Sequence, residues 1–169
     1  MANTFTLIAS STVGSGGAAT ISFSSIASTY TDLCLKLSAR ATGTGTAKSV
    51  LISYNGSASS FTSRFLEGNG SSAASYTSPA QFIGNFTGGG ATTSTFGNLE
   101  LYIPNYAGSA NKSASSDAVT ENNATTAYSD LTASLWSNTA AITSITLTPE
   151  AGITFAEFST AYLYGVKNA

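Results

Sequence analysis

The side chains that could do chemistry are few. The chain of 169 residues has no histidine, one cysteine (Cys34), eight carboxylates and six basic residues. Without an imidazole, the commonest general base, the Ser-His-Asp triad and most zinc sites are excluded. One thiol cannot build a thiolate metal site. Oxygen ligands remain, and Asp117, Glu121 and Asp130 lie close in sequence. They lack the D-x-D-x-D-G spacing of a calcium loop and read as solvated acids. Glycoside hydrolysis needs two carboxylates facing each other at about 5 to 10 Å. Glu67, Glu100, Asp117, Glu121, Asp130, Glu150 and Glu157 could contribute, but no spacing pairs them. The "GGG" at 88 and "GNG" at 68 lack the strand, Lys-Ser/Thr and helix context of a phosphate loop. The expectation is a protein that is not an enzyme and holds no cofactor or metal.

Aromatic residues are the richer class, with eight Tyr, nine Phe and one Trp. Trp136, Tyr54, Tyr102, Tyr106, Tyr128, Tyr162 and Tyr164 could stack on sugars if they lined a groove. Otherwise they fill a core or a subunit interface. Tyr162, Tyr164, Trp136 and Tyr106 are the candidate contacts with another subunit or partner surface. The closing "STAYLYGVK" places Tyr162, Tyr164 and Val166 opposite Ala161 and Leu163, so its last strand is apolar on both sides. Leu163 is expected in the core, and the tyrosine face is expected to be covered too.

The elements that must position these residues are strands. Alternation of period two recurs along the chain, and no helical period competes with it. "TFTLIAS" sets Phe5, Leu7 and Ala9 on one face, and "ATISFSSI" does the same with Ile21 and Phe23. "DLCLKLSAR" sets Leu33, Leu35, Leu37 and Ala39 against Asp32, Cys34, Lys36, Ser38 and Arg40. "KSVLISYNGS" carries Val50, Ile52 and Tyr54 into Asn55-Gly56, a hairpin turn signal. "NLELYIPN" sets Leu99, Leu101 and Ile103 against Glu100 and Tyr102, and Pro104 should end that strand. "SDLTASLWS" aligns Leu131, Ala133 and Leu135 opposite Thr132, Ser134 and Trp136; "ITSITLTP" aligns Ile145 and Leu147. A short helix is an option near 63–69 or within "AYSDLTASLW". The polar stretch 106–127 reads as a long loop with at most one weak strand. Gly-rich turns between strands, with no intervening helix, predict an all-β antiparallel sandwich, jelly-roll-like, as one domain over 1–169. The last strand is expected to pair inside a sheet, beside the N-terminal one.

Charged residues make up 8% of the chain, against about 25% in an ordinary domain. The net charge is −2, and the six basic residues form no stripe, so nucleic acid is not an expected partner. Low charge also lets many copies pack closely at little electrostatic cost. Cys34, inside a strand-like run, reads as a small buried hydrophobe. The N-terminus lacks the basic and apolar regions of a signal peptide, and no stretch reaches the 18 to 20 apolar residues of a membrane helix. The Asn-x-Ser/Thr triplets are what so Ser/Thr-rich a chain holds by chance.

The opening "NTFTLIASSTVGSGGAATISFSSIASTYTDLCLKLSAR" resembles a family of small virion structural proteins of tailed bacteriophages, frequent among marine phages and cyanophages. "RFLEGNGSSA", "TFGNLELYIPNYAGSANKSASSDAVTENNA" and "LWSNTAAITSITLTPEAG" continue the resemblance over essentially the whole chain. "STAYLYGVKN" is similar to the closing strand of many phage appendage sandwich modules. The resemblance implies a sandwich domain without catalytic residues, on the outer surface of a virion assembled in the host cytoplasm. It fits a capsid decoration (cement) protein, a homotrimer bound to the major capsid protein or another virion protein. It fits equally a head-fibre or tail-fibre knob that binds host-surface glycans. A fibre tip normally carries a shaft or attachment segment, so decoration is the preferred expectation.

Overall fold

Twelve strands and their turns account for the regular structure of the described residues, which in this computed structural model are 4–78, 81–123, 127–150 and 152–167. In chain order the strands are β1 (Phe5–Thr12), β2 (Ile21–Phe23), β3 (Asp32–Ala39), β4 (Ala47–Tyr54), β5 (Phe61–Gly68) and β6 (Ala73–Ser78). They continue as β7 (Phe82–Thr87), β8 (Gly97–Ile103), β9 (Lys112–Val119), β10 (Ser129–Trp136), β11 (Ile145–Pro149) and β12 (Thr160–Val166). They form a β-sandwich of two antiparallel sheets. The larger has the order β1-β12-β3-β8-β9-β10-β5-β6, and the smaller β2-β11-β4-β7.

The strongest alternations in the sequence became the core. Leu33, Leu35 and Leu37 of β3, Leu99, Leu101 and Ile103 of β8, and Val50, Ile52 and Tyr54 of β4 are buried between the sheets. Leu163 is fully buried in the same core, and β12 lies between β1 and β3. The two ends of the chain are therefore tied together in one ladder, where a free terminal strand would fray. β8 stops at Ile103, directly before Pro104.

Several local readings are decided by strand pairing. The two segments read as possible helices are strands β5 and β10, paired with each other over their full lengths. The polar stretch 106–127 contains β9, a central strand whose inward face carries Ala114, Ser116 and Ala118. Small side chains suffice there because the sheets approach closely. A Cβ on Gly84 of β7 would stand 2.6 Å from Ala118 Cβ. Asn55 and Gly56 adopt the positive φ of a tight turn, at 53° and 73°. That turn does not close a hairpin, because β4 and β5 belong to different sheets. In β1 a bulge between Leu7 and Ala9 reverses the pattern: Ala9 faces the core beside Leu163, while Phe5 and Leu7 face solvent. A one-residue slip flips every side chain beyond it.

β10 keeps the two faces set by alternation, and the one that carries Trp136 turns inward. Leu131 and Ala133 point outward, and Leu131 is 58% exposed, while Asp130, Thr132 and Trp136 point inward and are buried. The pairing explains it. Trp136 meets Tyr54 and Phe61 at ring separations of 5.4 and 6.1 Å, which fixes the face for the whole strand. Once Trp136 joins that cluster, the pleat turns Thr132 and Asp130 inward with it and Leu131 and Ala133 outward.

Candidate interaction surface

The four aromatic candidates separate into interior and surface residues. Trp136 is interior, 2% exposed, within the Tyr54–Phe61 cluster. Tyr106 is fully buried; its hydroxyl donates to the Ala27 carbonyl and accepts the Tyr30 N–H. Neither can touch a partner, which corrects the sequence reading. Both rings belong to the buried apolar core. Tyr162 and Tyr164 lie instead on the outer face of the eight-stranded sheet, Tyr162 at 38% exposure and Tyr164 half-buried.

Cross-strand register fixes their neighbours. One row across the outer face runs Leu7, Tyr164, Cys34, Tyr102, Ser115, Ala133 and Arg64. Tyr164 and Tyr102 flank Cys34 and leave it fully buried although it faces away from the core. Burial, with Glu100 nearby, pushes the Cys34 thiol up to about 11. It stays a neutral thiol at neutral pH and a poor nucleophile. Tyr102 donates its hydroxyl to Asp32, which also accepts the Asn105 N–H at 2.8 Å. The bond to Asp32 raises the Tyr102 hydroxyl to about 12. Asp32 thereby holds the Tyr102 side chain and the turn after β8 in place.

The adjacent row runs Ser10, Tyr162, Lys36, Glu100, Asp117, Leu131 and Leu66. Lys36 Nζ meets Glu100 Oε2 at 2.6 Å in the middle of the face. At each end lies an exposed apolar group. Leu66 and Leu131 pair side by side at one end, beneath a depression of about 540 Å³. At the other end Phe5 and Leu7 of β1 join Tyr162 and Tyr164, with Phe5 edge-on to Tyr164 at 6.4 Å.

Phe158 lies on the same sheet edge, at the other end of the β1–β12 ladder from Phe5. It sits in the turn before β12 and is 69% exposed, more than any other large apolar side chain described. Its φ of 69° is the left-handed region that a bulky residue avoids. The Phe158 N–H donates to the Val13 carbonyl at 2.9 Å, which locks it beside the end of β1. Sequence reasoning missed Phe5, Leu7 and Phe158 as surface residues. Alternation set the first two on one face with Ala9 without saying which way that face turns, and no local pattern marks a turn aromatic as exposed.

Among the described residues no group of three or more Cys, Asp or Glu could hold a metal ion. No family model matches the chain, and no curated protein or solved structure matches it either.

Proposed function

We propose that the chain is a bacteriophage virion structural protein that binds the outside of the head as a decoration (cement) protein. Copies associate as trimers and dock on the major capsid protein through the outer face of the eight-stranded sheet and its β1–β12 edge. One observation carries the reading: Phe5, Leu7, Phe158 and Tyr162, drawn from both ends of the chain, expose apolar surface at one edge of a rigid sheet. Grouped apolar side chains on a soluble surface mark contact sites, and aromatic anchors carry much of such binding energy. Each contact could be modest, since attachment at many points multiplies weak affinities through effective concentration.

The strand order supports a jelly-roll ancestry. Along the chain β2, β4, β7 and β11 of one sheet alternate with β3, β5–β6, β8–β10 and β12 of the other. Two interleaved Greek keys would give this arrangement, with the β8–β10 meander in place of a single strand. The resemblance to phage virion proteins supports the same reading.

The test is a comparison of expanded capsids with and without this protein. Bound copies are expected in the hundreds per head, and complete capsids should survive heating that opens bare ones. Equal resistance, or a few copies confined to one vertex or tail, would reject the cement role.

A further inference from the structure

The eight-stranded sheet is wider than the sheet that covers it. β7 ends the smaller sheet against β8, β9 and β10, so the inner side of β5 and β6 stays partly open. The opening is a cleft of about 500 Å³ between the two sheets, a size that suits a small ligand.

One wall of the cleft is aromatic. Tyr76 of β6 stacks on Phe65 of β5 with centroids 4.9 Å apart and planes 29° apart. Phe65 in turn rests on Phe82 of β7 at 4.3 Å. Tyr76 is 47% exposed, so its ring offers a braced apolar surface to solvent. Most of the rest of the lining is polar and already fixed. Asn85 Nδ2 donates to Glu67 Oε2 at 3.2 Å, and Asn85 Oδ1 accepts from Ser49 Oγ at 3.4 Å. The Ser49 N–H donates to Glu150 Oε2 at 3.1 Å, and Lys48 Nζ holds Glu150 Oε1 at 2.9 Å. Each polar group is held by the next, and ionised carboxylates still have lone pairs to offer.

We propose that this cleft binds one neutral pyranose unit, free or at the end of an oligosaccharide. Such a ring has an apolar C–H face, which Tyr76 would take, and hydroxyl donors on its rim, which Glu67 and Glu150 would accept with Asn85 alongside. Two carboxylates against one ammonium make the cleft acidic, so uronates and other anionic sugars are disfavoured. The cleft shares Phe65, Tyr76 and Thr77 with the depression over Leu66 and Leu131, and the proposal does not depend on the decoration role.

The test is a titration of the ¹⁵N-labelled protein with glucose, galactose, mannose and N-acetylglucosamine, with glucuronate as control, followed by amide chemical shifts. At least one neutral sugar is expected to shift the amides of Tyr76, Asn85 and Ser49 saturably, with a dissociation constant of about 1 mM. Glucuronate should give no saturable shift. Tyr76→Ala should weaken binding roughly tenfold and Tyr76→Phe should keep it. Both variants' own spectra report whether the fold is intact. The proposal is overturned if no neutral sugar moves the cleft amides, if the shifts lie elsewhere, if glucuronate binds equally, or if Tyr76→Ala binds like the parent.

Discussion

Asp130 sits on the inward face of β10 with Oδ2 on the Asn85 N–H at 2.7 Å. Its other oxygen has no partner among the described residues. Burial, reinforced by Glu67 nearby, raises its carboxyl from 3.8 to about 6. The folded state therefore binds this proton more tightly than the unfolded chain does. Its contribution to stability is greatest below about pH 4 and falls as pH rises to about 6 and beyond. Asp130→Asn removes the titration and keeps the shape. Denaturation of both proteins across this range should show the parent losing on the order of 2 kcal/mol relative to the variant. Parallel curves would mean that the carboxyl is solvated in the folded protein. Lys112, also buried, meets its burial differently: its ammonium donates to the carbonyls of Gly108, Ala110 and Thr139. Asp130 reads from sequence as a solvated acid, and Lys112 as one of six scattered basic residues. Nothing in a polar stretch such as "NKSAS" says that its lysine will be swallowed by the turn before it.

At the scale of elements, one guanidinium organises a whole loop. Arg40, just after β3, donates to the carbonyls of Gly89, Ala91, Thr92 and Thr95 at 2.8 to 3.0 Å. The loop between β7 and β8 wraps around it. Its glycines lie directly against the turn at 43–45, where a Cβ on Gly88 would stand 2.2 Å from the Gly45 carbonyl oxygen. "GGG" is therefore required by backbone contact between two loops, which is why it had no phosphate-loop context in the sequence. Arg40→Ala should leave four carbonyls without their donor and cost about 2 kcal/mol. Hydrogen exchange should quicken across residues 88–96 and stay unchanged in β3. Arg40→Lys should recover only part of the loss, because an ammonium lacks the planar fork. Uniform exchange across the chain in Arg40→Ala would refute the local role.

For the molecule as a whole, the apolar edge formed by β1, β12 and the turn before β12 is a cost without a folding use. Leu7 and Tyr162 reach solvent, and Phe158 keeps a backbone conformation that disfavours its type by about 1 to 2 kcal/mol. Combining Leu7→Ser, Phe158→Gly and Tyr162→Ser should leave monomer stability within about 1 kcal/mol of the parent. The same variant should lose self-association and capsid attachment, read by sedimentation and by co-pelleting with expanded heads. A monomer that unfolds would show these residues to be part of the folded core. Tyr164 is left out because it helps bury Cys34.

The sequence by itself determined the class of the fold and much of its core. Strong alternation in β3, β4 and β8, a terminal strand with Leu163 inward, and turn chemistry at Asn55-Gly56 are local facts that the backbone must obey. It did not reveal which face of β10 turns inward, because Trp136 and two leucines compete and only the partners across the sandwich decide. Nor could it show the bulge that turns Phe5 and Leu7 outward, or the burial of Tyr106. β6 and β7 escaped notice because their stabilisation comes from neighbours: β6 from pairing with β5, and β7 from Gly84 and Ala118 letting the sheets close. The candidate surface was half legible, since Tyr162 and Tyr164 share the outer face as alternation requires. Their grouping with Phe5, Leu7 and Phe158 joins residues some 150 positions apart. Only the pairing of β1 with β12 puts them on one edge, because a strand's outer face depends on which partner it finds.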